Sequence, residues 1–157
     1  MSQIDPRGQQ LAAAITSVLL VAVLLAAPGP VAVALLLLQL VLFATAVLRG
    51  VQRTPVAALF RAVVRPRLGA PSHLEDAAPP RFAQGVGLGF VVVALAGFLT
   101  GADVVGYLAT AFALAAALLN ATIGLCLGCE AYLLGRRAHA RLRTTTRIPA
   151  TGSRSTT

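Results

Sequence analysis

Four long stretches without charge decide what this chain can fold into. Residues 11–27, 31–48, 83–100 and 104–134 contain no Asp, Glu, Lys or Arg apart from Glu130 in the last. A helix rises about 1.5 Å per residue, so 17 or 18 residues reach roughly 26 Å, and flanking uncharged residues bring them to the ~30 Å of a hydrocarbon layer. None of the stretches alternates, and each is too long for a strand. The reading is an all-α membrane protein, a four-transmembrane-helix bundle. Composition agrees: charged residues make up 11% of the chain, against about 25% in ordinary soluble domains. That excludes a typical soluble enzyme.

Residues 11–27 follow Arg7 and end in Ala26-Ala27, which resembles a signal peptide. The apolar core is longer than such peptides use, and Pro28 follows the small-residue pair. Pro28-Gly29-Pro30 instead reads as a tight turn between two helices, with the first retained.

Orientation follows from charge. The chain has 13 basic and 5 acidic residues, a net charge of +8, and every basic residue is arginine. Arg7 precedes the first span. Arg49, Arg53, Arg61, Arg65, Arg67 and Arg81 lie between the second and third, and Arg136, Arg137, Arg141, Arg143, Arg147 and Arg154 follow the fourth. The two other connections have none. The positive-inside rule therefore places both termini and the central loop in the cytoplasm. An all-arginine, alanine-rich chain fits a GC-rich bacterial genome, so the expected location is a bacterial cytoplasmic (inner) membrane, crossed four times.

Within the central loop, Thr54-Pro55 is a cap followed by proline at the first helical position. Val56, Leu59, Phe60 and Val63 then form an apolar stripe on a short amphipathic helix that suits the inner headgroup layer, with Pro66 ending it. The Glu75-Asp76 pair reads as a structural partner for nearby arginines. Residues 144–157, rich in Thr, Pro, Gly and Ser, read as a disordered basic tail that favours anionic lipid. No aromatic interleaving supports nucleic-acid binding. His73 and His139 stand in arginine-rich segments and read as solvated surface.

The chemistry concentrates in the last stretch. At 100° per residue of this helix, Cys126, Cys129 and Glu130 fall on one face about 100° wide. Asn120, Gly124 and Gly128 make a small-residue stripe suited to close helix packing, and self-association is left open. A C-x-x-C pair fits three readings: plain buried cysteines, dithiol redox work, or half of a metal site completed by Glu130, His139 or another subunit. The pair lies near the C-terminus of this helix, where the dipole and Glu130 oppose a thiolate. In the redox reading Cys129 exchanges with a cytosolic thiol protein, Cys126 resolves, and Glu130 moves a proton. No cofactor is identifiable.

Three blocks are familiar: Ile4-Asp5-Pro6-Arg7-Gly8; Leu74-Glu75-Asp76 with Pro79-Pro80-Arg81-Phe82-Ala83-Gln84; and Leu119-Asn120-Ala121 through Cys126-x-Gly128-Cys129-Glu130-x-Tyr132. Over about residues 3 to 137 the chain resembles a bacterial membrane family defined as domain of unknown function 4395 (DUF4395). Its members are often encoded beside thioredoxin-fold and sulfurtransferase proteins. The resemblance therefore implies thiol or sulfur traffic and a cytosolic partner of one of those classes. The competing class is a membrane scaffold that recruits such a partner, with purely structural cysteines.

Overall fold

The bundle begins at Asp5, whose carboxylate accepts the Arg7 amide at 3.0 Å while Pro6 takes the first helical position. The computed structural model describes residues 3–69, 71 and 74–145. Helix α1 (Pro6–Ala26) turns through Ala27, Pro28 and Gly29 into α2 (Pro30–Arg49). The expected Pro-Gly-Pro turn is therefore present, with Pro30 opening the second helix. Helices α5 (Ala78–Thr100) and α6 (Asp103–Ile123) form the second hairpin, joined through Gly101 in the left-handed region at φ 78°. These four are long and apolar enough to cross a membrane. The chain is a multi-pass membrane protein built as an all-α bundle.

Helix α1 packs on α2 and α6, and α5 packs on the same two, so the four spans close a ring. Leu20, Val23, Leu36, Val91, Leu95 and Phe98 fill its centre. Small residues let backbones approach where α5 meets α6. A Cβ on Gly97 would stand 2.6 Å from the Gly106 nitrogen and 2.9 Å from its Cα. Phe98 fills the space beside Gly106 and meets Tyr107 edge-on at 5.3 Å. The Tyr107 hydroxyl donates to the Ala27 carbonyl at 2.8 Å and ties the two hairpins together. The outer surface is apolar: Leu25 is 84% exposed and Leu48 77%. In water that would be an aggregation surface; in a bilayer it is the lipid-facing wall.

The arginine-rich end is more ordered than a simple loop. After a 3-10 turn (Val51–Arg53), Thr54 caps α3 (Pro55–Leu59) by accepting the Ala57 amide at 3.1 Å. The helix does not stop at Pro66, as the proline suggests, but runs through a π turn (Phe60–Val64) into α4 (Arg65–Leu68). The wider turn, in which the Arg65 amide reaches back to the Phe60 carbonyl, relieves the clash that a proline imposes on the preceding turn. Of the expected stripe, Phe60 is buried and covers Gly8, while Leu59 and Val63 stay exposed. Arginines here satisfy helix-end carbonyls. Arg81 Nε donates to Val47 at 2.7 Å, and Arg61 Nη1 to Gln52 at 2.7 Å. A two-residue antiparallel pairing joins β1 (Gln3–Ile4) to β2 (Glu75–Asp76), placing Ile4 opposite Glu75. His73 and the tail from residue 146 onward lie outside the described residues.

The last uncharged stretch departs from the sequence reading. It is not one helix from 104 to 134. Helix α6 ends at Ile123, residues 124–126 are non-helical, and α7 (Leu127–Thr145) starts afresh. Gly124 causes the break: at φ 71° it sits in the left-handed region, and its amide closes the α6 terminus on the Asn120 carbonyl at 3.2 Å. This is a glycine helix stop, which a residue with a Cβ adopts only at a cost.

Candidate functional site

The break reverses the electrostatics expected for the cysteines. The Cys126 carbonyl accepts the Glu130 amide at 3.0 Å, which makes Cys126 the N-cap of α7 and places Cys129 in its first turn. The pair thus lies at a helix N-terminus and not near a C-terminus. Cys126 Sγ accepts the Cys129 backbone N–H at 3.3 Å, the role that a serine or aspartate oxygen plays at an ordinary N-cap. When reduced, a thiolate at Cys126 would have that donor and the positive end of the helix dipole beside it.

Cys126 and Cys129 are joined as a disulfide, with their Cα atoms 5.2 Å apart. This separation falls in the ordinary disulfide range. Both residues are half-buried. The N-terminus of α7 is pinned to α5: a Cβ on Gly128 would stand 2.6 Å from Ala83 Cβ and 2.7 Å from its Cα. One turn on, Tyr132 lies 5.6 Å from the Phe82 ring. The small-residue stripe therefore divides its work. Gly128 is a packing residue, Gly124 a helix stop.

Two cavities meet at the disulfide. One, of about 70 Å³, is lined by polar side chains including Gln9, Gln10, Glu75, Gln84 and Asn120, and touches both cysteines. The other, of about 310 Å³, runs between the spans and is mainly apolar, with Phe43, Phe90 and Phe112 on its walls. Cys126 lines both cavities, whereas Cys129 lines only the polar one. Ala83, Gln84 and Asn120 complete the partition between them.

Of the three residues singled out from sequence, the structure brings Cys126 and Cys129 together. Glu130 is exposed and lines neither cavity. The acidic residue on the wall of the polar cavity is instead Glu75, itself exposed, which β1–β2 pairing brings there. Its neighbour Asp76 has a different task, accepting the Ala78 amide at 3.2 Å where α5 starts. Among the described residues no three His, Cys, Asp or Glu side chains converge as a metal site, and His139 is exposed on α7.

Residues 4–137, spanning the site and all four spans, match the sequence profile of the domain of unknown function DUF4395. The chain belongs to the DUF4395 family. That match includes the Glu75 segment, the α5 start and the cysteine block, so all parts of the site lie within the family's domain. Comparison with curated proteins and with solved structures finds no match.

The sequence reads Glu75 as an arginine partner, because nothing local distinguishes it from an exposed loop carboxylate or places it on a cavity with the cysteines. Its position depends on a strand partner some seventy residues earlier in the chain.

Proposed function

We propose that this DUF4395 protein is a thiol–disulfide exchange protein of the bacterial inner membrane, with its arginine-rich end and both termini in the cytoplasm. The observation that carries the proposal is the disulfide at the N-terminus of α7, with the Cys129 amide aimed at Cys126 Sγ and a polar cavity beside both sulfurs. A dithiol partner of the cytosol, thioredoxin-like or a sulfurtransferase, attacks Cys129. The Cys126–Cys129 bond breaks, and Cys126 leaves as the thiolate that the helix terminus stabilises best. The partner's second thiol then attacks the mixed disulfide, so that the partner leaves oxidised and both cysteines are reduced. The partner is oxidised by two electrons, and the Cys126–Cys129 pair is reduced by two. Glu75, which lines the same polar cavity as both cysteines, takes and returns protons in these steps.

The test is a trap in membranes. Cys126→Ser should accumulate a mixed disulfide with a cytosolic thiol protein through Cys129, and Cys129→Ser should not. Equal silence from both variants, with both thiols inert to alkylation after reduction, would remove the proposal. Glu75→Gln keeps the side chain's shape and removes its charge. It should slow exchange with a soluble dithiol by about 100-fold, the low end of general acid–base contributions. A stopped-flow trace matching wild type would exclude Glu75 from proton transfer.

A further inference from the structure

A disulfide that accepts electrons must pass them on, and the second cavity lies against one of its sulfur-bearing residues. It lies at the arginine-rich end of the bundle, between the N-terminal halves of α1 and α5 and the C-terminal halves of α2 and α6. None of its lining residues carries a charge. An acceptor bearing phosphates finds no cation there, whereas a molecule dissolved in the bilayer core reaches it at little desolvation cost. At about 310 Å³ it falls within the size range of small-molecule sites.

Its walls suit a planar ring. Phe90 and Phe112 both line it, their centroids 6.4 Å apart and their planes tilted by 33°, and Phe43 lies on the same cavity. Its two side-chain amides stand beside the sulfur, while Thr16 lines the cavity from α1 and accepts from Gln39. Gln84 and Asn120 share with Cys126 the partition between the two cavities. Amide donors beside a sulfur suit carbonyl oxygens on a ring and offer nothing to an acyl chain.

We propose that this cavity binds the ring of a membrane-soluble quinone, and that the reduced Cys126–Cys129 pair reduces it to the hydroquinone. The proposal rests on the thiol–disulfide reading and names its electron acceptor. Two S–H bonds break and one S–S bond forms. The two electrons and two protons released convert the two quinone carbonyls to hydroxyls. Cys126, which alone of the pair lines this cavity, is the sulfur that meets the ring, and Cys129 closes the disulfide behind it.

The experiment uses the full chain in lipid nanodiscs, reduced with dithiothreitol, freed of reductant and kept anaerobic. A short-tailed benzoquinone is added, its ultraviolet absorbance followed, and thiols counted by alkylation and mass spectrometry. One quinone should be reduced for each pair of thiols lost. Ala116→Phe on α6 and Ala131→Phe on the exposed face of α7 each push a ring into the cavity from a different helix. Both should slow quinone reduction by about 10-fold or more, by denying the ring its contact distance, while still exchanging with dithiothreitol.

If the pair exchanges with dithiothreitol but does not reduce the quinone, the inference is overturned and the thiol–disulfide reading stands. Equal rates in wild type and in both filled variants overturn it as well, because the ring would then react elsewhere. If protein extracted in mild detergent yields only phospholipid and added quinone is not reduced, the cavity is a lipid site. A pair inert to dithiothreitol as well as quinone overturns both proposals.

Discussion

Gly97→Leu is expected to prevent the bundle from assembling. A Cβ at this position would meet the backbone nitrogen and Cα of Gly106 at 2.6 and 2.9 Å. Neither atom can rotate away as a side chain would. Accommodation requires α5 and α6 to separate, which also pulls Phe98 from the core and Tyr107 from its bond to Ala27. Overpacking a well-filled interior costs about 1–3 kcal/mol when side chains can shift, and a backbone contact on both sides places this case at or above that limit. Gly135→Ala is the comparison, since no atom lies within 4 Å of the Cβ it adds. In the exposed helix α7 it should be neutral or stabilise by up to about 1 kcal/mol. Thermal unfolding in detergent separates the two, and equal midpoints would show that the α5–α6 approach is not needed.

Replacing both cysteines by alanine is expected to have the opposite character, an intact fold with complete loss of exchange. A disulfide closing so short a loop restrains the unfolded chain by only about 2 kcal/mol in the entropic model. The four spans, the Gly124 stop and the Gly128–Ala83 contact do not depend on it. Without sulfur no exchange with dithiothreitol or with a protein dithiol can occur, and the chain has no other cysteine. Size-exclusion behaviour and helicity should match wild type, while oxidation of the cytosolic partner falls to the uncatalysed level. A double variant that still recruits its partner and supports the same cellular phenotype would favour the scaffold reading.

The spans were legible because a bilayer imposes a length and an absence of charge, both visible in one sequence. The Pro28–Gly29–Pro30 turn and the Thr54 cap were legible for a similar reason, since each is a local signal with one physical meaning. Gly124 was not, because its spacing from Asn120 and Gly128 fits a packing stripe equally well. The apolar run also continues to Leu134, so nothing in the hydropathy marks the place where one helix stops and another starts. A single backbone angle separates the two arrangements, and with it the end of the helix at which the cysteines lie. Glu75 required the long-range pairing of Ile4, and neither cavity has a sequence signature, since each is assembled from several helices.

The order in which the chain leaves the ribosome gives the β1–β2 pairing and the α5–α7 contact a further consequence. The polar pocket draws on Pro6, Gln9 and Gln10 from the first helix, on Glu75 and Ala83 from the middle of the chain, and on the cysteines near its end. Synthesis proceeds at about 5–20 residues per second, so the first hairpin and the loop are available for insertion seconds before Cys129 is made. The sulfurs therefore arrive last, at a place whose other walls can already stand. A ribosome-bound intermediate halted before Cys126 carries no thiol at all, and the pocket is complete only when the final helix seats its glycine against Ala83.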